Sequence, residues 1–236
     1  MSKPSQTTNT TSTPKTTVRV GGVHYDIDIT KISYLSSFLN FQANAQPQST
    51  ELVHEPILLF DIALKGIESG YRQCFRCLPA DLSQHHTLCD TYHFLHVDVL
   101  SGQSIDVIFS DLKSGSSDYN REERRKIKGN KSQARDTAFK LLYLILLGDF
   151  MDKIKDSAKI FNTVLYLVFH AATFKWRTRS VVRAAYEERF VVSAKQKATL
   201  DKWEKKDPAK LAVEDAGDVT TEDEESDCSK VFSWWE

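Results

Sequence analysis

Between Tyr71 and Asp98 the chain gathers Cys74, Cys77 and Cys89 with His85, His86, His93 and His96, three of its four cysteines and four of its seven histidines. Thiolate sulfur and imidazole nitrogen are the usual donors of a tetrahedral zinc site, and Cys74-x-x-Cys77 has the spacing of half such a site. On a helix running on from Leu82, residues His86, Cys89, His93 and His96 fall on one side at about 100° per residue, so they could supply the other half. Against this, no second Cys-x-x-Cys pair exists, and Cys74 shares an apolar stripe with Ile67, Tyr71, Phe75 and Leu78. The pair also sits in a helical pattern, not in a knuckle turn. A redox dithiol needs its first cysteine at a helix N-terminus, where the macrodipole lowers the thiol pKa. Cys74 comes late in its helix, shortly before Pro79. The thiols are therefore expected to pack as small hydrophobes, with no metal and no cofactor. The histidines are expected on a half-exposed helix side, as a solvated stripe or a pH-responsive one.

The elements that carry these residues can be read from periodicity. "TVRVGGVHYDIDI" alternates apolar and polar residues on either side of Gly21-Gly22, which predicts a β-hairpin. Thr30 is expected to cap a helix over "KISYLSSFLNFQ". "QANAQPQSTELVHEP" reads as a polar loop, and "ILLFDI" after Pro56 as a short buried strand. "KGIESGYRQCFRCL" predicts one helix stopped by Pro79, and Asp81 caps the next, in which Leu88, Tyr92, Leu95 and Val99 recur on one face. Helical spacing returns in "ARDTAFKLLYLILLGDFM", "DSAKIFNTVLYLVFHAATFKW", "SVVRAAYEERFVV" and "SAKQKATLDKWEKK", the last opened by Ser193 as a cap. The expected organisation is a Ser/Thr-rich tail over 1–16, a domain over 17–100, an exposed polar and charged insertion over 101–134, a helical extension over 135–206, and an acidic tail over 207–236 with an aromatic end.

At 236 residues, with 31 Lys plus Arg against 32 Asp plus Glu, the chain can bury a core and gives no global charge argument for nucleic acid or an acidic membrane. The longest apolar run, "LLYLILL", falls far short of the ~20 residues of a membrane span, so no membrane partner is expected. Four cysteines without an apolar leader fit a reducing compartment, cytoplasmic or nuclear. No phosphate-binding loop, G-x-S-x-G elbow or H-E-x-x-H is present, so nothing anchors a hydrolase or metalloprotease reading, and the expectation is a protein that is not an enzyme.

Two surface features remain. In the first helix Ile32, Leu35 and Leu39 form one stripe, while Tyr34, Phe38 and Phe41 form a second that needs its own partner, either another protein or the C-terminal helices. The basic run Arg121, Arg124, Arg125, Lys126 and Lys128 reads as a solvated charged face interspersed with Glu122 and Glu123, with nuclear import or nucleic-acid contact as the alternative. The terminal Phe232, Trp234 and Trp235 suit either a docking peptide or packing against the body.

The block from Val18 to Leu100 resembles the BTB/POZ family, in particular the divergent BTB domains abundant in filamentous fungi. The matching pieces are "VRVGGVHYDIDITKISYLSSFL", where family members run from hairpin to first helix, and "EPILLFDIALKGIESGYRQCFRCLPADLSQHHTLCDTYHFLHVDVL", where they show a strand, an Asp and an aliphatic-aromatic helix before a helix ending near "FLHVDVL". The resemblance covers about a third of the chain. It implies an α+β fold, a BTB/POZ-like core of a short mixed sheet with helices followed by an α-helical C-terminal extension. It also implies a protein-interaction module, in which the first helix takes part in self-association. A substrate adaptor for a cullin-3 ubiquitin ligase is the alternative that the resemblance implies. A nuclear factor with weak nucleic-acid contact through the basic run is the third reading.

Overall fold

The structure is a computed structural model. It describes residues 15–45, 52–113, 121–148, 157–171 and 173–202, and the side chains of all these except 113 and 121–130. The described chain is mixed α and β, mostly helical, with a small three-stranded sheet. It divides into two compact units, one formed by residues 1–57 with Phe94–Val97, the other by Leu58–His93 with residues 98–236.

In the first unit, β1 (Thr16–Val20) and β2 (Val23–Ile27) form the expected hairpin, with Val20 opposite Val23 across a two-residue turn. Gly21 and Gly22 have φ of 58° and 89°, the positive values that a type I′ turn demands at both central positions. A single 3₁₀ turn (Ile29–Lys31) leads into α1 (Ser33–Ala45). The cap is not Thr30 as expected. The Asp28 carboxylate accepts from the Thr30 backbone N–H at 3.2 Å and from the Thr30 hydroxyl at 2.5 Å. Asp28 thus caps the 3₁₀ turn that contains Thr30, and α1 starts only at Ser33, too far along the chain for Thr30 to cap it.

The strand expected after Pro56 lies before it. β3 (Leu52–His54), within the stretch read as a polar loop, pairs parallel with β1 to give the order β2-β1-β3. Residues 57–59 are not strand, and Phe60 opens α2 (Phe60–Ser69), which buries Phe60, Ile62, Ala63 and Gly66. A short apolar run fits a buried strand and a helix start equally well by periodicity alone.

In the second unit, the single helix expected over "KGIESGYRQCFRCL" is two. Gly70, at φ 96°, ends α2 before α3 (Arg72–Cys77) begins. α4 (Leu82–Phe94) starts as expected at Asp81, whose carboxylate accepts from the Ser83 N–H at 3.0 Å. The segment expected to be an exposed insertion is folded where it is described. It contains α5 (Ile105–Lys113), with Ile108, Phe109 and Leu112 buried, and the first turns of α6 (Arg121–Leu147), which runs through the boundary expected near residue 134. The i, i+1, i+4 spacing of those three apolar residues is a helix face hidden beside a charge run. α7 (Ser157–Phe169), α8 (Trp176–Arg189) and α9 (Ala194–Leu200) follow, and α9 opens with the expected Ser193 in a full capping box with Gln196. The two tails, 1–14 and 203–236, lie outside the described residues, and with them Phe232, Trp234 and Trp235.

α2, α3, α4 and α6 meet around an aromatic core. The Phe139 ring stacks on Tyr71 at 5.5 Å and takes Phe75 and Tyr92 edge-on, each at 5.7 Å. Gly66 lets α2 approach this core, since a Cβ there would lie 2.1 Å from the Tyr92 hydroxyl and 2.9 Å from the Cys74 sulfur. Gly→Ala inside an exposed helix gains up to ~1 kcal/mol, but Gly66→Ala should instead lose about 1–3 kcal/mol through overpacking. Urea denaturation of the two proteins checks the sign.

Candidate functional site

The thiols fold into the second unit as packing groups. Cys74, Cys77 and Cys89 are all buried. The Tyr92 hydroxyl donates to the Ala63 carbonyl at 3.0 Å, so the Cys74 thiol 3.3 Å away is the donor to the Tyr92 oxygen. Burial pushes the Cys74 thiol up to about 12 and the Cys89 thiol well above its ordinary value. Both are protonated at neutral pH, whereas a metal ligand or a redox nucleophile must be a thiolate.

The histidines do not join them. His86 Nε2 meets Glu188 at 3.0 Å, His93 is exposed, and α4 ends at Phe94, so His96, at φ 52°, is no longer on the helix. The one-sided stripe of His86, Cys89, His93 and His96 therefore does not form, because it required α4 to continue past residue 94. Among the described residues no three His, Cys, Asp or Glu side chains converge as metal ligands. The basic run Arg121, Arg124, Arg125, Lys126 and Lys128 lies in the first turns of α6, and its side chains are outside the described residues.

The first unit is where exposed side chains come together. Tyr34, on α1, is the hub of a ring cluster. It stacks on Phe38 at 6.2 Å, tilts against Phe94 at 4.5 Å, and takes His54 and His96 edge-on at 5.5 and 6.5 Å. His54 also meets Phe38 at 5.0 Å. Three stretches distant in sequence supply these rings, and each is fixed by the backbone. Ile32 just ahead of α1 and Leu35 within it are buried on one side, leaving Tyr34 and Phe38 half-buried on the other. Leu95 and Val97 are buried while Phe94 and His96 face out, and the Tyr34 N–H donates to the Leu95 carbonyl at 3.2 Å. β3 is registered by its pairing of Val20 with His54 and by the Gly21 N–H donating to the His54 carbonyl at 3.0 Å.

A hydrogen-bond relay runs through the cluster. His54 Nδ1 lies 2.7 Å from the Glu55 carbonyl, where only an N–H can bond, and Nε2 lies 2.8 Å from the Tyr34 hydroxyl. In the neutral ring Nε2 carries the lone pair, so it accepts the phenol proton. The outcome is a surface whose rings are locked in place while their outer faces stay in water. Phe94 is 45% and Phe41 69% exposed.

Of the residues expected at an interface, Tyr34 and Phe38 thus belong to one cluster, while Phe41 has no ring contact among the described residues and stands exposed one turn further on α1. Sequence reasoning missed His54, Phe94 and His96. His54 was hidden in an apparent loop, and the other two lay within what read as one continuous helix, which ends at Phe94. The alternation of apolar Leu95 and Val97 with Phe94 and His96 was the signal that could have revealed them.

No protein-family model matches the chain, and no curated protein or solved structure is significantly similar to it.

His85 carries a different property. It is buried, its Nδ1–H donates to the Asp81 carbonyl at 2.8 Å, and Nε2 has no hydrogen-bond partner among the described residues. Burial holds its pKa below the ordinary imidazole value, despite the opposing pull of the Asp81 carbonyl and carboxylate. Between the folded and unfolded pKa values the unfolded chain binds the extra proton. Stability is therefore complete above the ordinary imidazole range and is lost as pH falls through it toward the lower folded value. His85→Gln should flatten this acid slope in urea midpoints measured from about pH 7.5 down to about pH 5, and an unchanged slope refutes the assignment.

Proposed function

We propose that the chain is a non-enzymatic protein-interaction module, a BTB/POZ-like scaffold that self-associates through the aromatic face of α1. The observation that carries this reading is the locked and half-exposed ring cluster of Tyr34, Phe38, His54 and Phe94, with Phe41 exposed beside it. Aromatic side chains are enriched at interface hot spots because they bury large area for few rotatable bonds. Here most of the ordering entropy has already been spent within the chain, by the relay to Glu55 and by the contacts among the rings. Binding a partner then costs little further order.

The family-like reading draws support from element order. Hairpin, first helix, short strand and later helices occur in that sequence, although the strand lies ahead of Pro56 rather than after it and Asp61 falls in the first turn of α2 rather than before it. Self-association is the simplest use of one such face, since a patch that is self-complementary needs only a two-fold axis.

The test is sedimentation of the full chain over a wide concentration range. The wild type should show a concentration-dependent dimer, and Phe38→Asp should weaken it by at least about 30-fold, the loss typical of a hot-spot residue. Phe41→Asp, at a far more exposed position, should weaken the dimer with little change in thermal stability. A wild type that stays monomeric at high concentration, with Phe38→Asp behaving identically, removes the proposal.

A further inference from the structure

The aromatic face has a titratable group at its centre, and that group is bonded so that its protonation must change the face. We propose that His54 is a proton-operated switch of self-association, an assignment that rests on the reading of this face as an interface. With a neutral imidazole the face is uncharged and its rings are held. With an imidazolium the face carries a positive charge that opposes burial.

The geometry requires a change in the relay. The Glu55 carbonyl at 2.7 Å fixes the neutral tautomer with hydrogen on Nδ1, which leaves the Nε2 lone pair to accept the Tyr34 O–H at 2.8 Å. A proton arriving from solvent can bind only at Nε2. The bond to Tyr34 must then reverse, with Nε2–H donating to the phenol oxygen and the phenol hydrogen turning outward into the face. The proton adds one unit of charge, and nothing leaves.

Among the described residues no carboxylate bonds to this imidazole. From α1, His54 is met by the Tyr34 hydroxyl and the Phe38 ring, and from the 94–97 segment by Phe94, at 6.4 Å. His96 lies edge-on to Tyr34 and is the other titratable ring of the cluster. On β1, Val20 is the partner of His54, while Arg19 pairs with Val53, which alternation turns to the opposite side of the sheet. Glu55 meets His54 through its backbone carbonyl, and its side chain is exposed. Across a symmetric interface the same charge returns from the second copy, so like charges face one another in a region that is losing water.

Two measurements on the full chain test this. In sedimentation series at about pH 8 and about pH 5.5, the wild-type dimer should weaken at least about tenfold at the lower pH. His54→Gln, which keeps hydrogen-bonding capacity but no titratable proton, should lose that dependence while His96→Gln keeps it. A pH-independent wild type, or a His54→Gln protein that retains the dependence, overturns the switch. In nitrogen-15 spectra of the imidazoles, His54 should hold its hydrogen on Nδ1 in the neutral form, and Tyr34→Phe should move its titration midpoint. The opposite tautomer, or a midpoint indifferent to Tyr34→Phe, overturns the relay. A wild type that is monomeric at both pH values refutes the self-association reading, and with it any control of self-association by His54, even where the spectra uphold the relay.

Discussion

Burying a phenol whose oxygen lacks a partner costs a few kcal/mol, and Tyr92 is buried completely. The helical unit is organised around removing that cost. The Tyr92 hydroxyl donates to the Ala63 carbonyl of α2, its oxygen accepts from the Cys74 thiol of α3, and its ring lies edge-on to Tyr71 and to Phe139 of α6. One side chain of α4 therefore fixes three other elements. The same bond explains Gly66, because α2 can present the Ala63 carbonyl at that distance only if the next turn has no Cβ to strike the hydroxyl. It also explains why a thiol stands at position 74. A small group with a weak donor completes the oxygen's bonding without adding a second strong dipole to a dry core. Next to it, Asp136 accepts from the Arg72 backbone N–H at 2.7 Å and from its guanidinium at 3.1 Å, fastening the start of α3 to α6 at the rim of the aromatic core.

The first unit obeys a different constraint. Its sheet has three short strands, and an isolated hairpin is marginal in water, so β3 and α1 must supply the remaining burial. Val18, Val20 and Ile27 of the hairpin, Leu52 of β3, Ile32 just ahead of α1 and Leu35 in its first turn are all buried. The register that buries Leu52 sends Val53 out and brings His54 back to the inner side at the edge of the sheet, where it reaches Tyr34. The position of the imidazole among the rings is thus a consequence of which apolar residue the sheet hides.

What could be read in the sequence was the part encoded locally. The Gly21-Gly22 turn, the Asp81 and Ser193 caps and the stop at Pro79 each follow from neighbours within a few residues, and each is found in place. What could not be read depended on distant partners. β3 is three residues long, and it is a strand only because β1 offers a parallel edge. Leu59 and His96 turn with positive φ although they are not glycines, and no local signal announces a conformation that the surrounding packing must hold. The candidate site divides in the same way. Tyr34 and Phe38 are visible as a helical stripe, whereas His54 and Phe94 reach it through tertiary structure alone.

The cysteines and histidines that drew attention first end up sorted by their environment. Burial in the aromatic core keeps the Cys74 and Cys89 thiols protonated and so deprives them of the anionic form that metal binding and thiol chemistry need. An imidazole survives partial burial better, because its neutral form is both a donor and an acceptor and can satisfy two backbone or side-chain partners at once. His85 and His54 show the two ends of that range. His85, sealed under α3 against Phe75 at 5.6 Å, keeps one bond and resists the proton. His54, at an open rim, makes both bonds and stays within reach of water. The chemistry open to each of these residue types is set here by its burial and hydrogen bonding rather than by its spacing in the sequence.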